Sequence, residues 1–133
     1  KKLISTTHKY LIICKTPAYK NSIFTEINQA TMKDHRDKTS RYIKNMDKTK
    51  QFVNELIQKK EITQNVRICS TGLIIYTNIN KIRNLITSVY NKCIEHQQPQ
   101  CQIYWSIFSQ KYDNEIEKIN WEDVKSITSF IIP

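Results

Sequence analysis

The side chains in this 133-residue chain able to move a proton, attack a carbon or ligate a metal are three histidines, four cysteines and twelve carboxylates. The histidines stand in His8-Lys9-Tyr10, His35-Arg36-Asp37 and His96-Gln97-Gln98. A two-histidine phosphodiesterase carries a pair of His-x-Ser/Thr motifs, and none of these triplets fits. His35-Arg36-Asp37 spells the catalytic tripeptide of protein kinases, yet without Asp-Phe-Gly or a glycine-rich loop the match has no chemistry behind it. A lone imidazole in a polar loop is ordinarily solvated. His8 is the least implausible acid–base group, and it would meet Cys14 only if the intervening strand folded back.

Cys14, Cys69, Cys93 and Cys101 lack the close spacing of a zinc knuckle or a redox pair. Three lie in apolar stretches, where a free thiol behaves as a small core hydrophobe. None of the 11 asparagines opens an Asn-x-Ser/Thr acceptor. These features fit a reducing cytoplasmic or nuclear setting better than a secreted one. The carboxylates Asp113, Glu115, Glu117, Glu122 and Asp123 gather late in the chain without the spacing of a metal loop. No metal site is expected.

Gly72 is the single glycine. Phosphate-cradling loops need several glycines for positive φ and close backbone approach. A P-loop, a dinucleotide fingerprint, the Gly-x-x-Gly of a KH domain and a Gly-x-Ser-x-Gly elbow are therefore excluded. No cofactor is expected.

Charge is the positive lead. Residues 1–60 hold 14 Lys/Arg against 5 Asp/Glu, while residues 61–133 hold 7 of each, so the whole net charge of +9 belongs to the first part. Arg36, Lys38, Arg41, Lys44 and Lys48 are the candidate phosphate contacts, because clustered cations displace the counterions of a polyanion. Tyr104 and Phe108, on the strand face opposite Trp105, are the candidates for base stacking. Trp105 itself, between Ile103 and Ile107, reads as core. Against this stands the composition: 22 Ile and 17 Lys against 4 Arg match an AT-rich coding sequence, viral or microbial, which supplies lysines without selection for binding.

The elements that must position these groups follow from periodicity. Residues 3–14 read as a strand, stopped at Thr16-Pro17. Residues 22–33 read as a short helix capped by Ser22, with Ile23, Phe24 and Ile27 inward. Ile43, Met46, Val53, Leu56 and Ile57 mark a helix over 40–60. A strand runs over 66–76, where Gly72 suggests a bulge or a close contact. The helix over 79–96 carries Ile82, Leu85, Ile86, Val89, Tyr90 and Cys93 on one face, with Asn78 available as cap. Residues 101–108 alternate like a strand, a short helix is expected near 121–127, and Phe130-Ile131-Ile132 closes the chain as a strand.

This order points to an α/β or α+β fold. The expectation is a single two-layer domain over 1–133, its mixed sheet of about four strands packed by two or three amphipathic helices. No apolar run is long enough for a membrane span. The chain does not begin with Met and reads as a piece of a longer protein. The expected function is a non-enzymatic nucleic-acid-binding module for RNA or DNA, acting through the basic first part. The alternative is a protein-interaction or assembly domain that docks a partner chain.

Overall fold

The computed structural model describes residues 11–14, 22–31, 42–120 and 122, which mix helix and strand. In chain order they form β1 (Leu11–Cys14), α1 (Ile23–Thr31), α2 (Met46–Gln58), β2 (Ser70–Tyr76), α3 (Asn80–His96), α4 (Cys101–Phe108), a 3₁₀ turn (Ser109–Tyr112) and β3 (Ile116–Ile119). None of the described helices is long and apolar enough to cross a membrane.

Among the described residues the strands form one mixed sheet in the order β2–β1–β3. β1 pairs antiparallel with β2 and parallel with β3, so Leu11 lies opposite both Tyr76 and Ile116. The partner of β1 jumps from Ile74 at Ile13 to Ser70 at Cys14, which leaves Thr71, Gly72 and Leu73 outside the register. This is the bulge expected at Gly72. Glycine's backbone freedom is not what makes it, since Gly72 has no positive φ and an added Cβ would meet only Ser70 Oγ at 3.5 Å.

The expected strand over 101–108 is a correction: these residues are the helix α4. Ile103, Tyr104, Trp105, Ser106 and Ile107 are all buried, so the segment has no polar face to reveal a helical period. α4 lies between two cores. Ile103 and Ile107 join Ile23, Ile27, Met46, Val53 and Ile68 on one side, while Tyr104 and Trp105 join Cys69, Ile82, Leu85, Val89 and Ile116 on the other. Ser106 is tolerated inside because its hydroxyl donates to the Gln102 carbonyl and accepts from the Cys69 amide. The third strand of the sheet is instead β3, inside the stretch read as an acidic cluster. The expected strand at 130–132, residues 3–10 and most of the expected helix over 121–127 lie outside the described residues.

The other helices follow their patterns with local amendments. Ser22 caps α1 as expected, its Oγ accepting the Thr25 amide at 3.3 Å. α2 begins at Met46, preceded by a turn over 42–45, and buries Met46, Thr49 and Val53. Ile43, placed on the apolar stripe by spacing, lies in that turn and is exposed. Gln98, itself buried, holds the turn by donating from Nε2 to the carbonyls of Tyr42 and Lys44. α3 buries Ile82, Leu85 and Val89, but Tyr90 is 64% exposed. Asn78 does not cap α3, because its Oδ1 accepts from Arg83 at 2.7 Å.

α2 and α3 end alike. The amides of Lys60 and Glu61 donate to the carbonyls of Ile57 and Leu56, and those of Gln97 and Gln98 to Ile94 and Cys93. These are paired Schellman closures, which need a left-handed residue after the helix. In a chain with one glycine, Lys60 (φ 57°) and Gln97 (φ 50°) fill that role.

Candidate anion-binding groove

On α2 the spacing Lys48, Gln51/Phe52, Glu55 and on to Lys59 repeats at three or four residues, and Lys92 and Glu95/His96 repeat likewise on α3. These two rows line one groove of about 560 Å³. The amphipathic pattern explains why they do. α2 commits Met46, Thr49 and Val53 to the core, and α3 commits Ile82, Leu85 and Val89, which leaves the flanking rows to meet at the surface.

The floor is aromatic. The Phe52 ring meets His96 edge-on, with centroids 5.4 Å apart and planes at 77°, and tilts against Tyr104 and Phe108 at 6.4 and 6.2 Å. Lys92 Nζ stands 4.6 Å above the Phe52 ring and donates to Glu95 Oε2 at 2.6 Å. Three lysines thus line the groove against the carboxylates Glu55 and Glu95.

His96 is 8% exposed. Its Nδ1 is hydrogen-bonded to Tyr104 Oη at 3.0 Å, and Tyr104 Oη to Thr49 Oγ1 at 2.7 Å. Its Nε2 lies 3.8 Å from Glu95 Oε1. Burial holds the imidazole below its usual pKa, with the Lys92 ammonium adding to the effect. Burial pushes the Tyr104 phenol up to about 12, against the opposing bond to Thr49. The hydrogen bond from Lys92 holds the Glu95 carboxyl below the usual carboxylate range.

Of the five expected phosphate contacts, Lys48 lines the groove. Lys44 is exposed in the turn before α2 and is not part of the lining, while Arg36, Lys38 and Arg41 lie outside the described residues. The stacking assignment is corrected for Tyr104, which is 0% exposed and fully engaged by Thr49 and His96. A ring without an open face cannot receive a base. Phe108 is half-buried against Phe52. Trp105 takes the core position its neighbours imply.

Lys59, Lys92 and His96 were not singled out by sequence. His96 is buried rather than solvated, and the signal for burial was present: it lies seven residues past Val89, one repeat along the apolar face of α3. Two carboxylates of the acidic stretch are paired, Glu115 with Lys81 and Asp113 with Lys118. Among the described residues no group of three His, Cys, Asp or Glu side chains is placed to hold a metal ion. Cys69, Cys93 and Cys101 are free thiols.

A second concavity of about 460 Å³ is lined by Tyr76, Asn78, Arg83, Ile86 and Thr87. Tyr76 is 50% exposed, and Tyr90 and Ile94, one and two turns along α3 from Ile86, are exposed as well. Tyr90 and Ile94 are two residues either side of Lys92, roughly 200° around α3 and so turned away from the groove. No protein-family model, no curated protein and no solved structure matches this chain.

Proposed function

We propose that the protein is a nucleic-acid-binding module whose phosphate contacts are made in the groove between α2 and α3. The observation that carries this reading is the convergence of Lys48 and Lys59 with Lys92, from a distant part of the chain, on one concave surface. A concave cationic surface focuses potential on a passing polyanion, and each phosphate it neutralises releases counterions. The Phe52 ring beneath Lys92 supplies an apolar floor for the sugar or base edge. The overall charge of +9 favours encounter with the same class of partner.

Anisotropy of a labelled single-stranded oligonucleotide, titrated at several salt concentrations, tests this directly. On a log–log scale the affinity falls with a slope of about 0.7 for each phosphate neutralised. A Lys48→Glu/Lys59→Glu variant loses binding with its circular dichroism and melting unchanged, whereas Lys44→Glu, outside the groove, has the smaller effect. Affinity indifferent to salt overturns the reading.

The exposed Tyr76, Tyr90 and Ile94 favour a second reading, a protein-interaction domain whose partner covers that apolar surface. A stable complex that survives high salt and is lost in Tyr90→Lys supports it.

A further inference from the structure

Within the groove, one side chain is built differently from the rest. His96 is buried and clamped, whereas Lys48 and Lys59 are exposed and Lys92 is half-buried. Its Nδ1 edge is committed to Tyr104, and Tyr104 to Thr49, so the ring is held in one orientation by α4 and α2 together. The remaining edge, Nε2, is the one beside Glu95 on the groove lining. We propose, resting on the groove reading above, that a phosphate group of the bound strand enters beside His96 Nε2 and is held together with one proton that the imidazole takes up from solvent, which makes binding tighten as the pH falls.

The network accepts both protonation states. With a neutral ring, the Tyr104 hydroxyl donates to Nδ1. With an imidazolium, Nδ1–H donates to Tyr104 Oη, whose own hydrogen turns to Thr49 Oγ1. Both hydroxyls are donors and acceptors, so no hydrogen bond is lost on protonation. In the free protein the charged form of the ring is disfavoured. Burial and the cations facing it, Lys92 on α3 and Lys48 on α2, oppose the charge, and the carboxylates Glu95 and Glu55 only partly compensate. Lys59 lines the same groove, and Tyr104, the titratable group facing from α4, stays protonated at neutral pH. A phosphate beside Nε2 adds its negative charge to that of Glu95 and favours the imidazolium. Its Nε2–H then donates to a phosphate oxygen as a charge-assisted bond.

The test uses labelled oligothymidylate, whose base takes up no proton in this range, at fixed ionic strength between about pH 8 and about pH 5.5. The wild type binds about five- to tenfold tighter at the lower pH, the gain expected for a histidine pKa raised by up to about one unit. In His96→Asn the salt dependence persists and the difference between the two pH values disappears; His8 and His35 are present in both proteins. Proton NMR of the wild type provides the second measurement, with the His96 imidazole titrating at higher pH when the oligonucleotide is bound. An unchanged His96 titration, or an equal pH dependence in His96→Asn, overturns the proton link while leaving the groove reading intact. Absence of salt-dependent binding at every pH overturns both.

Discussion

The Tyr104 hydroxyl lies 3.0 Å from His96 Nδ1, which places the phenol of one buried helix against the last residue of another. The same oxygen is 2.7 Å from Thr49 Oγ1, so one atom of α4 connects α3 with α2 directly beneath the groove. Neither helix reaches the other through a backbone bond here. The spacing of the two lysine-bearing rows depends on this phenol and on Phe52, which packs against both cores.

Tyr104→Phe isolates the role of the hydroxyl. The ring keeps its packing, but Thr49 Oγ1 and His96 Nδ1 each lose a buried partner. Leaving buried polar groups unsatisfied costs about 1–3 kcal/mol. Urea unfolding should show a lower midpoint with an unchanged m-value. A variant as stable as the wild type means that the chain of hydrogen bonds is not holding the helices.

The pH dependence of stability, without ligand, has a definite sign at both ends. His96 has a folded pKa below its unfolded value, near 6.5. Its contribution is complete above that value and is lost as the pH falls, because the unfolded chain then binds a proton that the folded chain refuses. Tyr104, pushed up to about 12, behaves oppositely. Its contribution is complete below about pH 10 and declines as the pH rises towards the folded value. Unfolding midpoints measured from pH 5 to 11 should therefore fall at both ends, with the acid limb flattened in His96→Asn and the alkaline limb, to which the raised Cys93 thiol also contributes, reduced but not removed in Tyr104→Phe.

How legible the fold was depended on whether an element has a wet side. α3 was readable because Ile82, Leu85 and Val89 are buried while Asn84, Ser88 and Asn91 are exposed, which gives a helical period. The Ser22 cap was readable from chemistry alone. α4 was not, since all of residues 103–107 are inside and alternation of residue types carries no information about a segment surrounded by core. β3 was hidden because Glu117 and Lys118 are polar members of a short strand. The groove was half visible. Counting charge along the chain finds Lys48, but Lys92 comes from the electrically neutral part and joins it only through helix packing.

Thiol reactivity reports whether the second core is closed. Burial raises the pKa of Cys69, and burial together with Cys101 pushes Cys93 up to about 11. The thiolate is the nucleophile, so at pH 8 both should alkylate far more slowly in the folded protein than in urea. Peptide mass spectrometry after a timed iodoacetamide pulse resolves each site. Equal rates for Cys93 in folded and unfolded protein would show that the α3–α4 contact opens freely.

The two helix closures lead to a stabilising substitution. Lys60 and Gln97 occupy left-handed backbone at φ 57° and 50°, the position where a Schellman closure normally carries glycine. A side chain with a Cβ pays roughly 1–2 kcal/mol there. Glycine removes that strain but adds freedom to the unfolded chain, which returns about 0.5–1 kcal/mol. Lys60→Gly and Gln97→Gly should each be more stable than the wild type by up to about 1 kcal/mol, read as a higher melting temperature. The neighbouring Lys59, at φ −75°, is the control. Lys59→Gly relieves no strain and should destabilise, so a gain at Lys59 equal to that at Lys60 would mean that backbone handedness is not the cause.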